Sequence, residues 1–442
     1  MTATFEAYTD VRERIRLSDI VDDFGGSWVK AINAAIATAN ACGGAIIDFP
    51  ENQTITMTVI ATALGSHITL NIPQSCIIVK ANGTYNNIFG LQTPTWPAYI
   101  EDVHINGGTW QWITSTDPGG DDGRGPILFK YGDNVSVTDA VFQCLNTAYS
   151  RRTSGPYFAW CTNVLVDGCI ISDAVNGVTV AAQTAPDNSG RSCSVINIRR
   201  NRMIRTVAGT DTNTPGVFVK GTYGSYNVTD IRVTDNMISN HGMGIEVGPG
   251  DNARIAHNTI DSYLIGISSA DISTCRILDN YLSSSATGRQ IGIEVTGSAH
   301  ANVARNSIID AGQNTAPGIG VYGSSSSRVS DHSEIKDNYI EGGADGIQLI
   351  DNANHCRVVG NTIRSANVGI HTGPTNSTTG ANQIYNAIHN NTIDGATSYA
   401  INVTTYSSYS ATNLAIVNNV FLGDGTINGT VTGSSAQNVT VA

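Results

Sequence analysis

Residues 231–248 read IRVTDNMISNHGMGIEVG, and residues 253–270 read ARIAHNTIDSYLIGISSA. Each stretch holds an apolar alternation, an asparagine, a second short apolar strand, and then a glycine opening a third alternating strand. Working outward, the phrase "apolar-x-x-Asn-x-apolar" recurs around Asn201, Asn236, Asn258, Asn280, Asn306, Asn338, Asn361, Asn391 and Asn419, at separations of 22 to 35 residues. An irregular period of this size is that of a solenoid whose coils keep their strands and vary their loops. Each asparagine is expected at a bend between two strands, in the left-handed conformation that Asn tolerates, with its side chain hydrogen-bonded to the next coil. The second phrase, Gly-apolar-x-apolar, recurs as NGVTV, PGVFV, MGIEV, IGISS, IGIEV, PGIGV, DGIQL and VGIHT, and more loosely as GPILF and GPYFA.

Alternation along the second phrase sends its flanking residues into the core and its middle residue outward. Successive coils stacked about 4.8 Å apart then build an outward column. That column is expected to run Leu128, Phe158, Thr179, Phe218, Glu246, Ser268, Glu294, Gly320, Gln348 and His371, with Lys130, Trp160, Lys220 and Tyr322 two residues further on. Exposed aromatics and carboxylates on neighbouring coils mark a groove rather than a plain solubilised face.

Composition narrows the field. Charged residues make up only 14 % of 442 residues while glycines number 46, and no composition shift marks a boundary, so one long β-rich domain is expected. A net charge of -12 argues against nucleic acid and anionic membrane as partners, and no apolar run is long enough to span a bilayer. The opening MTATFEAYTDVRERIRLSDI has scattered charges and no apolar core, unlike a secretory signal peptide. The eight cysteines show no CxxC pair or zinc spacing and are expected as buried free thiols.

Residues 27–41, beginning SWVKAINAAIATAN, have apolar positions at helical spacing and Ser27 as N-cap, and GGAIIDFP follows as the first strand. This opening, with the asparagine ladder and the GIxV strand, resembles the pectate-lyase-like superfamily over about residues 20 to 420. The resemblance implies an all-β fold: a single right-handed parallel β-helix, a three-sheet solenoid, with an N-terminal capping helix. The division expected is 1–26 as an extension or attachment segment, 27–425 as the β-helix and 426–442 as a terminal strand and tail. The resemblance also implies that substrate lies over the GIxV sheet, walled by long loops such as those after Thr179 and before Phe218.

Glycoside hydrolysis needs one carboxylic acid to protonate the leaving oxygen and one carboxylate to attack or activate water, at about 5 to 9.5 Å. Glu246 and Glu294 share a register two coils apart with Ser268 between them, and Asp271 is a third candidate; Asp251 is a fourth. Phe158, Trp160 and Phe218 could stack on sugar rings, while Lys220, Gln348 and His371 could contact hydroxyls or charge. A lyase would ask instead for a base such as Lys220, Arg151 or Arg152. Calcium would fit Asp117, Asp121 and Asp122 in DPGGDDGRG, and no other metal or cofactor is expected. The arginine signatures of pectate lyases and the paired aspartates of polygalacturonases are missing, which sets pectin aside.

The superfamily includes phage tailspikes, and the chain resembles tailspike depolymerases most in character. A homotrimeric virion tail protein hydrolysing a host surface glycan is therefore one expectation. The alternatives are a secreted polysaccharide lyase and a non-catalytic receptor-binding tail protein.

Overall fold

The structure, a computed structural model, describes residues 13–441 apart from 59–60, 81–86, 92–97, 113–124, 146–153, 183–191, 207–212, 223–225, 285–289, 311–315, 324–328, 375–382, 405–410, 424–425, 430–434 and 437–438. The strands pair in parallel, coil on coil. A typical coil runs Val228–Thr234, Met237–Ser239 and Met243–Gly248, each strand pairing with its equivalent in the next coil. Among the described residues the third strands make a sheet of 13, and the first and second strands are joined in a sheet of 29 that bends at the asparagines. Three faces therefore enclose one core, as the repeat requires.

The asparagines form a continuous ladder. The Asn258 side-chain amide donates to Asn280 Oδ1 at 3.0 Å, and Asn280 donates to Asn306 Oδ1 at 3.0 Å. Each amide also reaches the backbone of the preceding coil, as Asn280 does at Ile255 O, 3.0 Å away. One expectation is corrected. The left-handed residue is not the asparagine but the one before it: Asp235 (φ 58°), His257 (φ 57°), Asp279 (φ 55°) and Arg305 (φ 55°). That geometry turns the chain one residue early, so the asparagine side chain points inward, where its four hydrogen-bonding positions replace the water a buried bend lacks.

The glycine of the GIxV phrase has a steric cause. A Cβ on Gly244, Gly266 or Gly292 would meet the carbonyl oxygen of the equivalent glycine in the next coil at 2.4–2.5 Å. Only glycine lets the corners nest at the coil spacing.

The core is a set of stacked Ile and Val columns, with an aromatic cluster near the first coils in which Phe89 meets Trp110 edge-on and Trp110 stacks on Phe142, centroids 5.6 and 6.1 Å apart. The capping helix spans Trp28–Cys42 and buries Ala31, Ile32, Ala35, Ile36 and Ala39. It covers the open end of the core as expected, but the Ser27 side chain makes no capping bond. Arg14–Arg16 precedes it as a strand paired with Ile46–Asp48, so pairing begins ahead of the GGAIIDFP strand. All eight cysteines are free and seven are buried; Cys42 is exposed. Burial pushes the Cys275 thiol up to about 11 and those of Cys169, Cys193 and Cys356 up to about 12. Among the described residues no helix is long and apolar enough to cross a membrane.

Candidate functional site

Strand pairing fixes which residues share the outward column of the 13-stranded sheet. Thr179 is in register with Phe218, Phe218 with Glu246, Glu246 with Ser268, Ser268 with Glu294, Glu294 with Gly320, Gly320 with Gln348, and Gln348 with His371. The expected strip is present over these coils. It continues to Asn402.

At the other end the strip is corrected. Tyr157, not Phe158, is in register with Leu128 and Thr179. Phe158 lies fully buried in the core, edge-on to Phe129 at 5.7 Å. Gly155 stands two residues before Tyr157, the same offset as Gly177 to Thr179, so alternation turns Phe158 inward. Trp160 is buried too, stacked on Tyr131 at 4.9 Å with Lys130 Nζ 5.8 Å from its ring. It packs in a small apolar cluster with Tyr157, Ala159 and Ala181 on the outer side of the sheet. Neither ring is presented as a sugar platform there.

Glu246 and Glu294 stand two coils apart, about 10 Å between their backbones. The intervening Ser268 hydroxyl donates to Glu294 Oε2 at 3.3 Å. Lys220 Nζ lies 4.0 Å from Glu246 Oε1 and 5.2 Å from the Phe218 ring centre. Burial raises the Glu246 pKa above the ordinary carboxyl value; Lys220 pulls it down and the Glu294 charge pushes it up again. A half-buried carboxyl held toward its neutral form beside a second carboxylate is the pairing that divides acid from base.

Asp271 does not join them. It follows the strand Ile265–Ala270 at a left-handed corner (φ 54°), three residues or about 10 Å along the strand from Ser268. Asp251 is engaged at a turn, donated to by the Asn252 backbone at 2.8 Å and by the Ser273 hydroxyl.

Beyond Glu294 the strip becomes a polar network that includes Gln348 and His371. Gly320 leaves room for the Tyr322 ring, which a Cβ there would strike at 2.1 Å. Tyr322 Oη donates to Gln348 Oε1 at 3.1 Å, and the Gln348 amide donates to Asp345. His371 Nδ1 is 3.2 Å from Asp345 Oδ2, and its Nε2 is 3.3 Å from Thr404 Oγ1. Asp345 is the residue that reading the sequence missed: it precedes the glycine of DGIQL, outside the alternating positions, and its side chain is 10 % exposed. The calcium candidates Asp117, Asp121 and Asp122, the bases Arg151 and Arg152, and the loops after Thr179 and before Phe218 lie wholly or largely outside the described residues. A pocket of about 340 Å³ lined by Gly43, His67, Asp102 and His104 belongs to the first coils, away from this strip.

With coil register and site in place, the comparisons agree on architecture. The family described as "Right handed beta helix region" matches residues 215–386, and "Periplasmic copper-binding protein (NosD)" matches residues 121–289. Over residues 215–386 the chain thus carries the sequence pattern of a right-handed β-helix, and its fold is a parallel β-helix. No curated protein matches it in sequence. Among solved structures, this β-helix is similar to the catalytic unit of an α-1,3-glucanase from Streptomyces thermodiastaticus, at 13 % identity, TM-score 0.54, covering 97 % of this chain and 71 % of that one. It is also similar to a tailspike protein mutant of the Escherichia coli bacteriophage HK620 solved with a pentasaccharide, at 14 % identity, TM-score 0.51, covering 93 % and 76 %. These likenesses are likenesses of fold.

Proposed function

We propose that this β-helix binds a polysaccharide along the strip from Phe218 to His371 and hydrolyses a glycosidic bond between Glu246 and Glu294. The observation that carries the reading is the shared register of the two glutamates with a small serine between them. Glu246, whose pKa is raised, is the general acid, and Glu294, held by Ser268, is the base that activates water. A spacing of two coils leaves room for that water, so the anomeric configuration inverts. Phe218 and Tyr322 offer aromatic surface, and Gln348, Asp345 and His371 offer polar partners for sugar hydroxyls along the same face.

The biological setting that agrees best is a tailspike-type depolymerase acting on a host surface glycan as a homotrimer of the virion tail. Support comes from the similar frames of a phage tailspike solved with a pentasaccharide and of an α-1,3-glucanase. A reducing-end assay over a panel of capsular and O-antigen polysaccharides tests it. Hydrolysis of at least one polymer is expected; release of an unsaturated sugar would make the protein a lyase, and binding without cleavage a receptor-binding spike. Light scattering on the purified chain tests the trimer.

A further inference from the structure

One corner of the solenoid carries a feature that the glycan reading does not use. At the corner near the start of the first strand most coils have a left-handed residue, and on many it is a short polar one: Asp102 (φ 55°), Asn134 (φ 52°), Asn163 (φ 50°), Asp230 (φ 53°) and Asn252 (φ 53°). On successive later coils the same corner carries His300 (φ 53°), His332 (φ 51°), His355 (φ 52°) and Tyr385 (φ 59°). Their rings form a column with centroids 5.4, 4.8 and 5.3 Å apart, the His332 and His355 planes within 8° of parallel.

Asp331 stands beside this column on the strand pair Ser330–Asp331 and Ala353–Asn354. Its Oδ2 is 3.1 Å from His332 Nδ1, and its Oδ1 is 2.8 Å from His355 Nδ1. One ligand atom from each of the three lies within 4.8 Å of the others. We propose that Asp331, His332 and His355 bind a divalent transition-metal ion that clamps two neighbouring coils.

The donor set fits such an ion. Zinc and its neighbours take imidazole nitrogen and carboxylate oxygen at about 2.0–2.2 Å, which puts ligand atoms on a tetrahedral ion about 3.4 Å apart. The carboxylate–imidazole separations are already within about half an ångström of that value. His332 has 55 % of its side chain exposed and can turn to close the remaining distance, leaving a coordination position open to water. Two imidazoles with one carboxylate select zinc, nickel or copper over calcium, which prefers an all-oxygen shell. An ion bound only by the folded corner raises stability with the logarithm of one plus its concentration over Kd.

Equilibrium dialysis of the untagged full chain against zinc, nickel or calcium chloride tests this, with the thermal transition followed in parallel. The double substitution H332N/H355N installs the residue this corner carries at Asn134, Asn163 and Asn252, and D331N removes the carboxylate alone. Zinc or nickel should be held at one ion per chain, about tenfold or more tighter than calcium, and should raise the thermal midpoint. Either variant should weaken retention by at least about tenfold and lose the metal-dependent rise. Failure to retain zinc or nickel, equal retention by the folded variants, or preference for calcium would overturn the proposal.

Discussion

Glu246 is set apart from the other acidic side chains by what surrounds it: a partly desolvating strip, Lys220 at 4.0 Å, and a second glutamate two coils away. If it is the acid, E246Q should lower the cleavage rate by about 10²- to 10⁴-fold without loss of binding, and E294Q should do the same, while D271N should keep most of the activity. The rate should fall as pH rises through the raised Glu246 pKa, because the acid must carry its proton. Lys220 lowers that pKa, so Lys220→Met should move this alkaline limb to higher pH. A pH–rate profile of the two proteins checks the direction. The glutamates were legible in the sequence because IEV repeats at GIEV after a fixed glycine. Phe158 was misplaced because GPILF and GPYFA look alike yet differ by one residue in register: Leu128 is the third residue after Gly125 and Tyr157 the second after Gly155, so aligning the two phrases puts Phe158 in line with Leu128. Asp345 was illegible because its side chain reaches the strip from a corner, where alternation says nothing about direction.

At the scale of the element, the asparagine ladder carries the bend between the first two strands of each coil. Replacing Asn280 by alanine removes the acceptor for the Asn258 backbone N–H and the donor to Ile255 O, both buried. Equilibrium unfolding in urea should register a loss of roughly 2–5 kcal/mol, well above the cost of an exposed asparagine. Sequence periodicity showed the ladder because burying an amide side chain at a bend restricts the residue type on every coil. It could not show that the preceding residue takes the left-handed angle, since Asp, His, Arg, Gly and Asn all occupy that position. The capping helix was legible for a different reason: its Ala and Ile positions follow a period of 3.6 in a chain otherwise built on alternation.

Over the whole molecule, one continuous core makes stability sensitive to buried groups that titrate. His241 is buried, and burial, with the nearby Arg205 charge, depresses its pKa from 6.5 to about 3. Above pH 6.5 neither state holds the extra proton; as pH falls from there toward 3 the unfolded chain takes it up and the native chain does not, so stability falls. Between about pH 7 and about pH 4.5 the protein should lose about 2–3 kcal/mol more than an H241Q variant, measured by urea unfolding at both pH values. The same core shields the thiols: Cys42 alone should react quickly with a thiol reagent in the native state, and the seven buried cysteines only after unfolding. The claim on which the functional account rests is that glycan lies along the outward column of the 13-stranded sheet. The most direct test is a crystal structure of E246Q soaked with oligosaccharide released from a polymer that the native protein cleaves. Sugar should be seen spanning Phe218 to Gln348 with the glycosidic oxygen beside residue 246; sugar seated on another face, with the strip bare, would contradict it.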